Sequence, residues 1–362
     1  MKIFFYSDSS YYSGAEKILD ELSIGLGKNS PGSQLVLNPK IRPSLEASGF
    51  NARSSNLEVS YLADQSKLNI FKAGQLTRMI KRTGASVVVA NMWSPYANTA
   101  AILSAGRARV PLVLIFHYFE QKRDVSGWLR PIKLWAYRFA FKRADRIVTV
   151  SQAHRKILID QFGCPDEKVL VIHNGITGPD KTISRTFDKP RKFLMVGTLE
   201  ANKGQRAVIE RLKNLNRDDW TLTLVGSGPL EEPLRAFCRA ENLSDKITFL
   251  GRQDNLKDIY SSHDVLINNS DKENLSVAIM EAMSFGLPVI ASNVGGNREL
   301  VDDQNGWLVG SNDEDGWRAA LSEAIDSTAG LEKKSPVAYS RWHSQFNQDK
   351  MIISYQKLLE EI

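Results

Sequence analysis

Short runs of aliphatic and β-branched residues alternate along this chain with longer amphipathic segments of helical periodicity. Runs bounded in this way are typical of βα units that build a parallel sheet. In the first half the pattern predicts strands over residues 2–7, 86–91, 111–117, 146–151 and 168–174. In the second half it predicts strands over residues 192–197, 221–226, 246–251, 264–270 and 287–292. The predicted fold class is therefore α/β, with a doubly wound parallel sheet in each half.

A segment without hydrophobic periodicity separates the two sets of predicted strands. Residues 175–191 include two glycines and two prolines, which are typical of a linker. We therefore predict an N-terminal domain over 1–175 and a C-terminal domain over 176–340, followed by a helical segment, 341–362, that could pack back on the first domain. Open parallel sheets bind ligands outside the carboxyl ends of their strands. The chemistry is expected in the strand-to-helix loops that face a cleft between the domains.

The composition argues against several classes of protein. Hydrophobic residues make up 42% and charged residues 24% of the 362 residues, as in a folded globular protein. The longest apolar run, 110–119, is half of the roughly 20 residues that a membrane-spanning helix needs. The first apolar run is too short for a secretory signal, so we expect a cytoplasmic protein. Cys164 and Cys238 lie in separate halves without a CxxC pair or a histidine cluster, which indicates neither a disulfide framework nor a zinc site.

The net charge of +6 is distributed unevenly. Residues 1–175 carry 24 Lys and Arg against 13 Asp and Glu, a balance of +11, which leaves 23 against 28, or −5, for the remainder. Residues 122–146 alone hold eight basic and two acidic residues, interleaved with Trp128, Trp135, Tyr137, Phe139 and Phe141. Such a segment could sit on an anionic bilayer or track a phosphate backbone. Equally, it could be a helix with a solvated basic face and an aromatic face in the core.

The loop after predicted strand 192–197 has the features of an anion site. Gly197 and Gly204 bracket a short loop that ends at Lys203, and the following helix directs its N–H groups back toward that loop. A plain turn with a solvated lysine is the alternative.

Two further loops of the second half carry weaker signals. Gly226 follows strand 221–226 and permits close approach of the backbone, but Glu231 replaces the third glycine of a dinucleotide fingerprint. That replacement disfavours a nicotinamide-dependent oxidoreductase. Arg252 follows strand 246–251, in a loop whose backbone could contact the base of a nucleotide.

Two glutamates, Glu273 and Glu281, stand in the nearly apolar segment 268–288. If a helix begins near Glu273, Glu281 lies about 12 Å further along its axis and about 80° around it. The exposed stripe of a surface helix would give the same pattern. The segment is unusually apolar, however, and buried carboxylates need partners such as ligand hydroxyls. A diphosphate at the N–H groups of 274–277 would leave one glutamate near each of the two groups that flank it. A nucleotide sugar has this layout, with a sugar on one side of the diphosphate and a ribose on the other. Lys203 could supply charge for the leaving phosphate, so no divalent metal is demanded.

Two residues of the first half are candidates at the ends of predicted strands. Gly14 lies in the turn after strand 2–7, where a backbone that approaches a phosphate closely needs glycine. His117 ends strand 111–117 at the edge of the predicted cleft. A lone histidine is often structural, so both interpretations of His117 remain open.

On these residues and their order, the chain resembles family 4 of the retaining glycosyltransferases, which have the GT-B fold of two Rossmann-like domains facing across a cleft. The resemblance covers nearly the whole chain and is strongest in residues 270–300, SDKENLSVAIMEAMSFGLPVIASNVGGNREL. Further segments match in the expected order: SGAEK, ADRIVTVSQAHRK, VIHNGI, VGTLEANKGQ and LTLVGSGP. Six ordered matches are far more specific than any one of them.

The resemblance implies roles for individual residues. Glu273 would contact the hydroxyls of the donor sugar, Glu281 the ribose and Lys203 the diphosphate, and His117 would lie near the sugar and the acceptor. Retention in this family is ascribed to front-face attack assisted by the leaving phosphate. The expected catalytic residues are therefore His117, Lys203 and Glu273, and neither a metal nor another cofactor is expected.

The chain departs from the family pattern at the predicted phosphate site. Many relatives have an arginine where Thr198 stands, so Lys203 would act with weaker help, for example from Arg206. Asn274 replaces a frequent glycine or serine, which could affect the choice of donor. The predicted donor-binding residues are Gly14, Thr198, Lys203, Arg206, Gly226, Arg252, Asn274, Leu275, Ser276, Val277 and Glu281.

The expected function is transfer of a sugar, with retention, from a UDP- or GDP-sugar to a lipid-linked or cell-surface glycan in polysaccharide biosynthesis. The expected partners are the nucleotide sugar and the acceptor, with an anionic membrane surface at 122–146 as a further candidate and nucleic acid not expected. The expected location is the cytoplasm, with peripheral attachment to the inner face of the cell membrane. A catalytically silent nucleotide-sugar-binding or scaffold protein of the same fold is the alternative, favoured if Thr198 disables the phosphate clamp.

Overall fold

A computed structural model of the chain describes residues 1–10, 12–47, 56–62, 72–92, 99–117, 121, 125–128, 130–179 and 184–362. Residues 122–124 and 129 of the basic aromatic segment lie outside the described residues. Contacts between residues divide the chain into two compact units. The first unit comprises residues 1–175 and 348–362, and the second comprises residues 176–347.

Strands and helices alternate along the described chain. The strands are β1 (Ile3–Tyr6), β2 (Gln34–Leu37), β3 (Glu58–Tyr61), β4 (Val87–Met92), β5 (Leu112–Phe116), β6 (Arg146–Thr149), β7 (Val169–Val171), β8 (Arg191–Val196), β9 (Trp220–Val225), β10 (Ile247–Gly251), β11 (Val265–Asn268), β12 (Val289–Ser292) and β13 (Gly306–Val309). The α-helices are α1 (Gly14–Gly27), α2 (Arg42–Ala47), α3 (Ala73–Thr83), α4 (Thr99–Ala108), α5 (Arg130–Arg143), α6 (Gln152–Phe162), α7 (Gln205–Asn214), α8 (Glu231–Ala240), α9 (Lys257–Ser262), α10 (Val277–Ser284), α11 (Asn297–Leu300), α12 (Glu314–Asp326), α13 (Thr328–Arg341) and α14 (Gln348–Glu360).

The first unit is built on a parallel sheet with the strand order β3-β2-β1-β4-β5-β6-β7. Every residue of β4 and β5 is buried, because helices cover both faces of such a sheet. The C-terminal helix α14 belongs to this unit and packs on α1. There the side chain of Ile352 fills the space that a Cβ at Gly25 would need.

The second unit repeats the plan with the strand order β10-β9-β8-β11-β12-β13, again parallel. Its core includes Trp220 and Trp317, which are 1% and 0% exposed. In both sheets the order reverses beside the first strand of the unit, as in Rossmann-like folds. The predicted fold class of two doubly wound parallel sheets is confirmed.

Three strands of the structure are absent from the sequence-based prediction: β2, β3 and β13. Length does not explain the omission, because each has four residues, whereas the predicted strands β1, β11 and β7 have four, four and three. β3 and β13 are edge strands that are only partly buried, so their residues include polar or half-exposed positions. Neither length nor composition distinguishes such strands from loops.

Candidate active site

The carboxyl ends of β8 and β11 flank the point at which the strand order of the second sheet reverses. In doubly wound sheets this point is the usual position of the ligand. The loops after the two strands are joined by hydrogen bonds: the N–H of Asp271 donates to the carbonyl of Asn202 at 2.8 Å, and the side chain of Asn269 donates to the carbonyl of Gly204 at 3.2 Å. The two loops therefore form one surface at the edge of the sheet.

Lys203 and Glu273 form an ion pair across that surface. Lys203 Nζ lies 2.7 Å from Glu273 Oε1, and the Ser270 hydroxyl donates to the same oxygen at 2.8 Å. The two side chains are 26% and 14% exposed, so both charges are partly shielded yet accessible. The structure thus brings together two of the three residues predicted to be catalytic.

Glycines allow the loops around this ion pair to pack closely. Gly226 (φ 135°) follows β9, and a Cβ there would overlap the carbonyl oxygen of Gly197. Gly295 (φ 49°) follows β12, and a Cβ there would overlap the carbonyl oxygen of Glu273. Any other residue would have to displace the neighbouring backbone and adopt an unfavourable φ. Gly226 therefore has a packing role between loops, and its contact with a donor stays a prediction.

The helix after β11 begins later than the sequence reasoning assumed. α10 starts at Val277, and Ser276 caps it by accepting the N–H of Ile279 at 3.5 Å. Serine is a favoured residue at this position because its side chain satisfies an N–H that has no acceptor within the helix. Glu273 lies in the preceding loop, so the expected helical separation of about 12 Å and about 80° between the two glutamates is wrong.

The segment between Glu273 and α10 is buried. The exposed fractions of Asn274, Leu275 and Ser276 are 6%, 5% and 4%. Val277 opens the first turn, where N–H groups lack acceptors within the helix and the helix dipole is positive. The residues predicted to hold a diphosphate thus lie at the N-terminal end of α10, next to the Lys203–Glu273 pair.

Glu281 lies in the second turn of α10 and is held by a buried tyrosine. The hydroxyl of Tyr260 donates to Glu281 Oε2 at 2.8 Å, and the Tyr260 ring stacks on Phe285 with centroids 5.6 Å apart. Burial, and to a smaller extent the charge of Glu281, raise the pKa of Tyr260 well above its ordinary value. The tyrosine therefore stays protonated. Sequence reasoning missed Tyr260, because no motif connects it with a residue 21 positions later.

The other predicted cations have partners of their own. Arg206 lies on the exposed side of α7, where it pairs with Glu210 at 2.8 Å and covers the ring of Phe237 at 3.9 Å. Arg252 is exposed, 3.6 Å from Asp254. Neither guanidinium is part of the Lys203–Glu273 pair. Thr198 is exposed as well, and its carbonyl accepts the side-chain N–H of Gln205 at 2.8 Å.

In the first unit, Gly14 is the first residue of α1. The carboxylate of Glu16 accepts hydrogen bonds from the N–H and the hydroxyl of Ser13, at 3.2 and 2.5 Å, and so closes the start of the helix. Burial raises the pKa of Glu16 above its ordinary value, against the opposing effect of these hydrogen bonds. Gly14 thus lies at a capped helix N-terminus after β1.

His117 follows β5 and lies beside a second histidine that the sequence reasoning did not select. Burial lowers the pKa of His117 to about 4. Burial is the main cause, and the neighbouring His117 a smaller one, of a pKa of His154 that is lowered to about 3. The Nδ1 of His154 lies 2.9 Å from the hydroxyl of Thr149, and its ring meets Phe116 edge-on at 6.3 Å. Both imidazoles are uncharged near neutral pH, so His117 can exchange hydrogen bonds with a ligand but brings no charge.

The described residues contain neither a cluster of metal ligands nor a helix suited to span a membrane. No group of three or more His, Cys, Asp or Glu side chains is arranged to hold a metal ion in this part of the chain. Among the helices that the structure describes, none is long and apolar enough to cross a membrane.

Family comparisons agree with the geometry in both units. Residues 12–177 match the family described as Glycosyltransferase Family 4, and residues 179–340 match the family described as Glycosyl transferases group 1. The chain belongs to these glycosyltransferases. The resemblance inferred from the sequence motifs is confirmed.

Similarity to curated relatives extends over part of each relative's sequence. An uncharacterized glycosyltransferase of Methanocaldococcus jannaschii is 31% identical over 185 residues, which cover 46% of this chain and 47% of that protein. The amylovoran biosynthesis glycosyltransferase AmsK of Erwinia amylovora is 29% identical over 238 residues, 62% of this chain and 57% of AmsK. The chain thus spans about half the length of these curated relatives.

Solved structures confirm the GT-B fold of this glycosyltransferase. The structure of Anabaena HepE in complex with UDP and glucose matches with a TM-score of 0.84 at 20% identity. The match covers 100% of this chain and 100% of HepE. Sucrose-phosphate synthase from Thermosynechococcus elongatus matches with a TM-score of 0.81 at 16% identity over 99% of this chain and 98% of that one. At these identities, both matches show that the fold is shared.

Proposed function

We propose that this glycosyltransferase moves a sugar, with retention of anomeric configuration, from a UDP-sugar to a glycan or lipid-linked acceptor in the cytoplasm. The observation that carries the proposal is the Lys203–Glu273 ion pair at 2.7 Å, at the reversal point of the second sheet and beside the N-terminal end of α10. A nucleotide sugar offers an anionic diphosphate between two groups rich in hydroxyls. The site offers a cation and helix N–H groups between two carboxylates.

Each feature of the site has a corresponding group on the donor. The diphosphate would bind Lys203 and the first turn of α10, where the helix dipole favours an anion. The sugar hydroxyls would donate to Glu273, and the ribose hydroxyls to Glu281. As the bond to the sugar breaks, negative charge grows on the leaving phosphate, and a cation already held in place stabilises that charge.

Lys203 also supports transfer without a divalent metal, because it supplies the positive charge that a metal would supply. Activity that is unchanged by EDTA would agree with this part of the proposal. Activity that falls with EDTA and returns with Mg²⁺ or Mn²⁺ would refute it.

The names of two similar proteins support the choice of donor and acceptor. HepE is described in complexes with UDP and with UDP-glucose, and AmsK is named for the biosynthesis of amylovoran. A uridine donor and a polysaccharide or lipid-linked acceptor are therefore the first substrates to test.

Calorimetric titration with UDP and GDP, followed by incubation with a panel of UDP- and GDP-sugars, tests the proposal. We expect UDP to bind, a UDP-sugar to be consumed, and Glu273→Ala to lose turnover. Asp271→Ala is the control, because Asp271 is an exposed carboxylate of the same loop. NMR of the product then reports its anomeric configuration. Binding without turnover of any donor would favour the silent binding protein, which the exposed Thr198 makes the second candidate; no binding of either nucleotide would refute the donor site.

A further inference from the structure

Large apolar side chains are exposed at one helix of the first unit. Trp128 lies two residues before α5 and is 88% exposed, and Ile132 and Trp135 within α5 are 58% and 62% exposed. Phe139, one turn further, is half-buried against the core of the unit and supports Trp135, with ring centroids 5.3 Å apart. The three exposed residues, Trp128, Ile132 and Trp135, are called the α5 stripe below. Exposed apolar groups gathered in this way mark an interaction surface.

The α5 stripe is not needed to hold the helix in the fold. α5 already buries Ala136, Tyr137, Ala140 and Phe141 against the unit. Tyr137 packs on Phe162 with ring centroids 4.3 Å apart. At about 100° per residue, Ile132 and Trp135 project from the opposite side of the helix. Two aromatic residues of the basic segment, Tyr137 and Phe141, therefore lie in the core, whereas Trp128 and Trp135 face solvent.

Basic residues surround the α5 stripe. Arg130, Arg138, Lys142 and Arg143 are exposed, and the guanidinium of Arg143 lies 5.5 Å from the centroid of the Phe139 ring. The sequence has no Asp or Glu from residue 125 to residue 144. The helix thus combines an apolar stripe that contains tryptophan with a positively charged border. Helices that lie in the interface of an anionic membrane have this composition.

We propose that the α5 stripe docks this protein on the surface of an anionic lipid bilayer. Tryptophan and isoleucine would enter the boundary between headgroups and acyl chains, while the basic border would remain among the anionic headgroups. The charge pattern disfavours a second copy of this chain as the occupant, because self-association through the stripe would bring the two basic borders together. Docking through the α5 stripe requires neither a particular donor nor any enzymatic activity.

Cosedimentation with vesicles of phosphatidylcholine and phosphatidylglycerol in equal parts tests the apolar component. Ile132→Ser should weaken binding, because it removes an inserted side chain. Ile353→Ser is a matched control: Ile353 is the same residue type, lies in a helix of the same unit and is 59% exposed. Trp128→Ser and Trp135→Ser should each weaken binding by about tenfold. Equal losses in Ile132→Ser and Ile353→Ser would overturn the proposal.

Charge reversal tests the electrostatic component. Each basic residue near an anionic surface strengthens binding by about fivefold, so Arg138→Glu with Lys142→Glu should weaken it by at least about 25-fold. Lys81→Glu with Arg82→Glu, at exposed positions at the end of α3, changes the net charge equally and should have much less effect. Binding should also weaken with added salt and be lost on vesicles of phosphatidylcholine alone.

Three further results would overturn the proposal. One is equal loss of binding in the two charge-reversal variants, which would show that net charge alone attracts the vesicles. Another is a dimer in sedimentation velocity that Trp135→Ser dissociates, which would make the stripe a protein interface. The third is binding to single-stranded DNA that is tighter than binding to the vesicles and is lost with the same substitutions.

Discussion

Replacing Lys203 with Met and Glu273 with Gln should change the binding of UDP in opposite directions. The two side chains form an ion pair at 2.7 Å, so Lys203 has to give up part of its contact with Glu273 when it binds a phosphate. UDP carries phosphates but no donor sugar, and therefore offers a partner to Lys203 and none to Glu273. Lys203→Met should weaken the binding of UDP, whereas Glu273→Gln should leave it unchanged or strengthen it.

The magnitudes follow from the contacts and the exposure of the pair. A hydrogen bond to a charged group contributes about 1.5–3 kcal/mol, so Lys203→Met should weaken UDP binding about 10- to 150-fold. The side chains are 26% and 14% exposed, and a pair in contact with solvent is worth about 1 kcal/mol or less. Glu273→Gln should therefore strengthen UDP binding by at most about fivefold. For the UDP-sugar the same variant should weaken binding about tenfold, since a neutral amide replaces the charged acceptor.

Isothermal titration calorimetry of UDP and of the UDP-sugar against the wild type, both single variants and the double variant measures these effects. Asp271→Asn serves as the control, because it removes an exposed carboxylate of the same loop and should change neither affinity. Wild-type affinity of Lys203→Met for UDP would refute the assignment of the diphosphate to Lys203. Equal losses of UDP affinity in Lys203→Met and Glu273→Gln would indicate that the pair only holds the loops together.

Three further predictions concern residues around the site and in the first unit. Gly226→Ala should lower the free energy of unfolding by about 2 kcal/mol or more, because its Cβ would overlap the Gly197 carbonyl; an unchanged melting temperature would contradict this. Tyr260→Phe should weaken UDP binding about fivefold, since Glu281 loses its 2.8 Å donor while the stacked ring remains, and an unaltered calorimetric Kd would remove Tyr260 from the site. Burial raises the pKa of Asp20 from 3.8 to about 8, so its contribution to stability is present below pH 3.8 and is lost as the pH rises toward 8. Asp20→Asn should therefore stabilise the protein more at pH 8 than at pH 6.5, by about 1.4 kcal/mol for each pH unit, and a difference in melting temperature that is independent of pH would contradict the buried acid.

The central strands were predictable because burial on both faces makes them continuous apolar runs. β4 and β5 are of this kind, and every residue in them is buried. β13 has a partner on one side only, and two of its four residues are half-buried. Its sequence therefore has no pattern that separates it from a loop. The start of α10 was predicted wrongly for another reason. The sequence around Glu273 is compatible with a helix, but its contact with Lys203, 70 residues earlier in the chain, holds Glu273 in the loop.

The site was predictable to the extent that topology determines it. Lys203 and Glu273 follow strands that are neighbours in the sheet, and carboxyl ends of parallel strands meet at one edge. The groups that orient the site were not predictable in this way. Tyr260 and His154 are buried polar residues whose partners are chosen by tertiary packing, and no periodic pattern or motif of the sequence connects them with Glu281 and His117.

The hydrogen bonds already present at the two glutamates bear on how the proposed site would select its ligand. Glu273 accepts from Lys203 and Ser270, and Glu281 accepts from Tyr260, before any donor is bound. Ligand hydroxyls would then replace existing contacts, so Glu273 adds to affinity only the difference between the two sets of contacts, and it penalises a ligand that draws Lys203 away without offering Glu273 a partner. A nucleotide sugar avoids that penalty, and the free nucleotide diphosphate does not. The ion pair would therefore favour binding of the donor over binding of the nucleotide product, and so favour release of that product after transfer.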